Sequence, residues 1–243
     1  MTSPRFSIVV PSKDEAESLP GILKEISTAL AGDNFEIIVV DDGSTDDTAG
    51  VLQQLAEVQP FLRRLVHTQC CGKSAAITTG VRAARASLIA TLDGDGQNDP
   101  CYLPALLALM AEPGVGLAAG QRIKHAHSHA KRIGSRFANG LRAWLLHDNT
   151  RDTACGLKAF RRDVFLSLPY FDTMHRFLPA LVQHEGLAVR YLDVVDRDRQ
   201  HGRSKYGVID RAIVGAFDLI GVFWLIKRGR RGPQANEVFS NSD

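Results

Sequence analysis

Two carboxylates one residue apart, Asp93 and Asp95, close the apolar run Leu88 to Leu92, with Gly94 between them and Gly96, Gln97, Asn98, Asp99 and Pro100 behind. Carboxylates in that arrangement can share or bracket a hard divalent cation, Mg²⁺ or Mn²⁺, which takes oxygen ligands and keeps positions open for phosphate oxygens. Gln97 offers a neutral oxygen to the same set. The competing reading is a solvated turn, because Asp, Gly and Asn are ordinary turn residues. What raises the metal reading is the strand before the bend, which delivers both carboxylates at its carboxyl end.

Other chemistry-bearing motifs fall away. Gly72-Lys73-Ser74 has the end of a phosphate loop, but His67 stands where that motif needs its first glycine, so Lys73 keeps only a general capacity to approach a phosphate. No G-x-G-x-x-G follows either early strand, which removes support for a dinucleotide cofactor. His125, His127 and His129 alternate as strand ligands would, yet Lys124, Lys131 and Arg132 beside them repel a cation, and a basic loop is the better reading. Cys70, Cys71, Cys101 and Cys155 show no CxxC spacing. No zinc site is expected from them, and reduced thiols in the cytoplasm are the default, with no signal peptide before the first strand.

These groups need a scaffold. The 243 residues, 44% of them hydrophobic, suffice for one substantial core or one domain with an appendage, and a net charge of +2 gives no reason to expect nucleic acid. Phe6 to Val10, Phe35 to Val40 and Leu88 to Leu92 read as buried strands, and Leu62 to Val66 as a short strand. Helices lie between them through Leu19 to Leu30, Val51 to Val58 and Lys73 to Ala86, the first capped by Ser18 with Pro20 in its opening turn. Strands alternating with helices imply a parallel sheet whose ligands gather beyond the strand carboxyl ends, where Pro11, Asp42 and Asp93 fall. Further on, a helix over Tyr102 to Met110, strands over Val115 to Ala119 and Ala188 to Val195, a short strand ending near Phe160 and a helix over Phe177 to His184 are expected. From Val208 the chain is amphipathic in places and largely apolar, followed by Lys227, Arg228, Arg230 and Arg231, and residues 232–243 read as a disordered tail. No stretch reaches the roughly twenty apolar residues that span a bilayer.

Three blocks in order, Ile8 to Glu15, Val39 to Asp46 and Leu92 to Gln97, resemble family 2 glycosyltransferases of the GT-A fold. Asp152 to Lys158, His175 to Leu181 and Arg199 to Gly207 are similar to the polyprenyl-phosphate glycosyltransferases, the dolichol-phosphate mannosyltransferase group; Ser204-Lys205-Tyr206-Gly207 points to a lipid phosphate acceptor. The resemblance implies an α/β, mostly parallel GT-A sheet over residues 1–207, followed by an amphipathic membrane-associating helix with a basic flank over 208–231. It implies that Pro11, Ser12 and Glu15 line the nucleoside pocket, that Asp42 bonds the base, and that Asp93, Asp95 and Gln97 hold the metal against the donor diphosphate. Arg122, Ser135, Arg136, Arg199 and Lys205 match groups that receive the acceptor phosphate. Asp152, His175 and Arg176 match the sugar side, with a turn partner and a simple helix start as their plain structural readings. Lys158 is left out, as a strand lysine paired with a neighbouring acid. Asp14 departs from the family's usual Asn and is expected to alter the ribose pocket, and the pair of transmembrane helices that many relatives carry is missing.

The implied reaction moves a sugar from a UDP- or GDP-sugar to polyprenyl phosphate, with Mg²⁺ or Mn²⁺, on the cytoplasmic face of the membrane and against anionic lipid. The catalytic set would be Asp93, Asp95, Arg122, Arg199 and Lys205. Two alternatives stand beside it. A family 2 enzyme with a carbohydrate acceptor would need a positioned base and no basic block at Arg199 to Lys205; a noncatalytic nucleotide-sugar or lipid-binding module would be expected to lack an acidic metal ligand.

Overall fold

A computed structural model describes residues 3–123, 142, 145, 146, 148, 150–197 and 208–229. Its strands are β1 (Phe6–Ser12), β2 (Phe35–Asp41), β3 (Leu62–Val66), β4 (Leu88–Thr91), β5 (Val115–Arg122), β6 (Lys158–Arg161) and β7 (Ala188–Val194). They form one sheet in the order β3-β2-β1-β4-β6-β5-β7. Every pairing is parallel except those of β6, which runs antiparallel to both β4 and β5. The carboxyl ends of the other six strands therefore share one edge, and the start of β6 is delivered to that same edge from the opposite direction.

Helices α1 (Leu19–Ala29), α2 (Thr48–Val58) and α4 (Leu103–Leu109) lie among the early elements, with α3 (Lys73–Ala83) between β3 and β4. The later helices are α5 (Arg162–Ser167), α6 (Leu178–His184) and α7 (Val208–Arg228). The strand alternation explains a two-sided core. Ile8, Val10, Ile37 and Val39 pack with α1 and α4, while Val9, Ile38 and Val40, one residue out of phase, pack with α3 and α6. Gly80 lets α3 approach closely, since a Cβ there would meet the Val9 and Val40 side chains.

Most expected elements stand within a residue or two of their places. Two readings need correction. Ser18 makes no side-chain cap on α1; its hydroxyl donates to Gly94 O at 2.7 Å, across to the acidic bend. The short helix α5 was not anticipated, because six residues are too few to show a helical period.

α7 is packed and exposed at once. Val222 is buried and Leu219, Phe223 and Ile226 pack on the α3 and α6 side of the core, while Phe217, Ile220 and Trp224 are exposed. Among the described residues no helix is long and apolar enough to cross a membrane.

Candidate active site

The bend after β4 is built so that its carboxylates converge with Glu15 from the loop after β1. Asp93 N donates to Asn98 Oδ1 at 3.0 Å and Gln97 N donates to Asp95 Oδ1 at 3.1 Å, which curls the bend on itself. Gly94 is required, because a Cβ there would run into the Glu15 carboxylate; at Gly156 a Cβ would strike Asp93 and Asn98. Burial, with the charges of Asp95 and Asp93 adding and the Ser12 hydroxyl opposing, pushes Glu15 up to about 8. Glu15 Oε2 is buried with no hydrogen-bond partner among the described residues. Lys73, at the start of α3, already supplies one cation here, its Nζ 2.5 Å from Asp93 Oδ1.

Three carboxylates crowded together, one of them carrying an orphaned oxygen, are costly unless a cation joins them. The donor set is all oxygen, and that is the set Mg²⁺ and Mn²⁺ take. Asp93 and Asp95 fit as ligands. Gln97 is tied through its backbone, its N to Asp95 and its O accepting from Arg197 N at 2.8 Å.

At the end of β2, Asp42 is buried and both its oxygens are engaged. Oδ1 accepts from Cys71 N at 2.8 Å and lies 2.7 Å from His67 Nδ1; Oδ2 accepts from Gly72 N at 2.8 Å and from Cys70 Sγ at 3.3 Å. Burial works against its charge, but these donors win and hold its carboxyl below the usual range. Asp42 thus pins the loop that leads into α3. Asp14 has φ 53°, and its carboxylate accepts from Thr45 N at 2.7 Å, so it joins the loops that follow β1 and β2. Pro11 and Ser12 pair with Val40 and Asp41, which extends β1 to the carboxyl edge of the sheet.

On the other half of the edge, Arg122 is engaged by two acids. Its Nε donates to Asp152 Oδ2 at 2.5 Å, Nη2 to Asp152 Oδ1 at 3.0 Å and Nη1 to Asp196 Oδ2 at 3.2 Å. Asp152 is buried, and the Arg122 charge overcomes that burial to hold its carboxyl low. Asp196, with the same arginine farther away, is pushed up by burial. Asn98 Nδ2 donates to Asp196 Oδ1 at 3.2 Å, so a continuous chain of polar contacts runs from the acidic bend through Asn98, Asp196 and Arg122 to Asp152.

Beneath the bend, Lys73, Lys158, His175 and Thr91 line a small cavity. The Lys158 ammonium donates to Cys155 O, a carbonyl rather than the acid expected from sequence, and burial lowers it to about 8. His175 Nδ1 lies 2.7 Å from Ser74 Oγ; burial and then the positive charges of Lys73, Lys158 and Arg176 drive it well below the ordinary histidine range, so the ring is neutral. Arg176 follows in the same 3-10 turn, Met174–Arg176. Ser135, Arg136, Arg199 and Lys205 lie outside the described residues.

Asn98, Asp196, Ser18 and Lys158 are the site-forming residues that sequence reasoning missed. Asn98 sits among turn residues and Asp196 is one of three acids between Asp193 and Asp198, so neither has a spacing that marks it. Lys158 had a visible signal, a lysine entering an otherwise apolar strand.

The sheet order and this edge are those of a GT-A-like glycosyltransferase fold, and the family follows. The model of glycosyl transferase family 2 matches residues 7–168, and the chain belongs to that family. It is similar to a dodecaprenyl-phosphate galacturonate synthase of Rhizobium johnstonii, 32% identical over 91% of this chain and 67% of the relative. It is also similar to an undecaprenyl-phosphate 4-deoxy-4-formamido-L-arabinose transferase of Pseudomonas savastanoi pv. phaseolicola, 34% identical over 88% of this chain and 64% of the relative. The chain spans about two thirds of the length of these polyprenyl-phosphate sugar transferases. Among solved structures, a Pyrobaculum calidifontis mannosyltransferase with GDP-Man and Mn²⁺ aligns at TM-score 0.66 and 24% identity, over 96% of this chain and 67% of that one. Glucosyl-3-phosphoglycerate synthase of Mycobacterium tuberculosis with Mn²⁺, UDP-glucose and phosphoglyceric acid aligns at TM-score 0.69 and 21% identity, over 92% and 79%. These two likenesses speak to the fold.

Proposed function

We propose that this chain transfers a sugar from a nucleoside diphosphate sugar to polyprenyl phosphate, with a divalent cation at the acidic bend. The observation that carries it is the convergence of Glu15, Asp93 and Asp95, where a buried carboxylate oxygen lacks a partner and Lys73 already stands on Asp93. Asp93 and Asp95 would hold Mg²⁺ or Mn²⁺, which when bound neutralises charge on the departing diphosphate. Asp42, by fixing the loop into α3, shapes the nucleoside pocket that Pro11, Ser12 and Glu15 border, and presents its carboxylate to the base. The neutral His175 ring, Arg176 and Asp152 face the sugar side.

The acceptor phosphate is an anion at neutral pH and attacks without a strong general base. Two anions must still be held together, and arginine suits that task through paired N–H donors. Ser135, Arg136, Arg199 and Lys205 are assigned to that role. Arg122 serves it as a positioning residue, since its guanidinium is taken up by Asp152 and Asp196. A single displacement inverts the anomeric centre; a product of retained configuration, or a trapped glycosyl-enzyme, would contradict that step.

The lipid acceptor calls for contact with a membrane, and α7 supports it. Phe217, Ile220 and Trp224 project from the side opposite the packed Val222, and Lys227 and Arg228 close the helix. Basic residues at such a border add attraction to anionic lipid of roughly 1 kcal/mol each. Placement on the cytoplasmic face belongs to the same reading. Removal of residues 208–243 should release the protein from anionic vesicles, and a truncated form that still pelleted with them would remove α7 from this role.

The test of function is a panel of UDP- and GDP-sugars with polyprenyl phosphate and Mg²⁺ or Mn²⁺, read by mass. Polyprenyl-phosphate-sugar should form only with metal and only with the lipid phosphate. Transfer to a carbohydrate in its absence would favour the other family 2 chemistry.

A further inference from the structure

A second cluster on the nucleoside side has a different chemistry. Asp42 beyond β2, His67 beyond β3 and Cys71 before α3 bring a carboxylate oxygen, an imidazole nitrogen and a thiol sulfur within 4.8 Å of one another. We infer that Asp42, His67 and Cys71 form a site for a borderline-soft divalent cation such as Zn²⁺, separate from the all-oxygen site at the acidic bend. Mixed oxygen, nitrogen and sulfur ligands suit Zn²⁺ and disfavour Mg²⁺ and Mn²⁺.

The cluster is held in place on every side. His67 Nε2 lies 2.9 Å from Thr79 Oγ1, which fixes the ring with Nδ1 toward Asp42, the outer contact that metal-binding histidines use. The loop carrying Cys71 is pinned by its own N–H and that of Gly72 to Asp42, and its packing on the turn after β2 is tight, since a Cβ on Gly43 would lie 2.8 Å from Cys70 N. A cation would replace the proton shared between His67 Nδ1 and Asp42 Oδ1, with three protein ligands and one position left open. Cys71 is exposed, which leaves a path for entry. Cys70, whose Sγ bonds Asp42 Oδ2, stays a hydrogen-bond donor outside the ligand set. The spacing rule that argued against zinc looks for paired cysteines, whereas this set takes His67 and Cys71 from the loop between β3 and α3 and Asp42 from the neighbouring turn after β2.

A consequence rests on the proposed function: if Asp42 meets the base of the donor, Zn²⁺ and nucleotide compete for one carboxylate. The site itself is tested without activity, by titrating the full chain with Co²⁺ in excess Mg²⁺. One Co²⁺ per chain should bind with a thiolate-to-cobalt charge-transfer band, displaced by Zn²⁺. Cys71→Ser should abolish the band, His67→Gln should weaken binding at least about tenfold, and Cys70→Ser should leave the band in place; circular dichroism should show all three folded. Binding without a thiolate band, or equal affinity in Cys71→Ser, overturns the site. Zn²⁺ binding that leaves the affinity for UDP and GDP unchanged overturns the competition and the role of Asp42 in donor binding, while the site stands.

Discussion

The two halves of the catalytic edge are built by different means. On the donor half, β1, β2 and β4 end in loops held by backbone donors: Cys71 N and Gly72 N on Asp42, Gln97 N on Asp95, Ser44 N on Asp41. On the acceptor half, β5 and β7 are joined across the edge by charged side chains, with Arg122 between Asp152 and Asp196. Each of those bonds ends on one carboxylate and its donor survives any side-chain change, so one substitution removes one or two of them, whereas an ion-pair network depends on every member. The donor half should therefore lose chemistry while keeping its fold under point substitution, and the acceptor half should lose stability along with chemistry.

That contrast can be broken at several points. The largest effect belongs to Asp95→Ala, which should lower turnover by about a thousandfold or more, in line with the loss of a charge-stabilising group, with an unchanged circular dichroism spectrum. Arg122→Ala should act differently, leaving Asp152 and Asp196 without their shared cation. A loss of about 2–3 kcal/mol in urea unfolding is expected, below the value for a fully buried pair because Arg122 is one-third exposed. An unchanged unfolding midpoint would place Arg122 at the substrate after all.

A pH dependence sharpens the donor side. Because the folded protein holds the Glu15 proton up to about 8, above the ordinary carboxylate range, the folded form binds more protons than the unfolded chain between those limits. Stability of the metal-free protein should then be full below the ordinary carboxylate range and fall as pH rises through about 8. Thermal melts from acid to mildly alkaline pH should show that slope, and Glu15→Gln should flatten it. The smallest effect is that of Ser18→Ala, which removes one hydrogen bond to Gly94 O and should weaken Mn²⁺ binding by about fivefold, equivalent to about 1 kcal/mol.

The same contrast explains what the amino-acid sequence made legible. The strands β1, β2 and β4 are mostly apolar runs, interrupted by Ser7 and Glu36, and the bend at Asp93 is one contiguous segment, so both could be read directly. The network of Arg122, Asp152, Asp196 and Asn98 joins residues up to 98 positions apart, and no spacing in the sequence links them. Ser18 shows the same limit: by position it is a helix cap, and only the fold brings Gly94 O within its reach. Arg122, assigned to a phosphate by family likeness, is claimed by two acids that no spacing rule would connect to it.

The central claim is that the acidic bend holds the cation that receives the donor diphosphate. Crystals grown with Mn²⁺ and a nucleoside diphosphate should give an anomalous peak bonded to Asp93 or Asp95 and to the phosphates, with the base beside Asp42. A nucleotide bound with its phosphates away from the bend, and no anomalous signal at either carboxylate, would contradict the account.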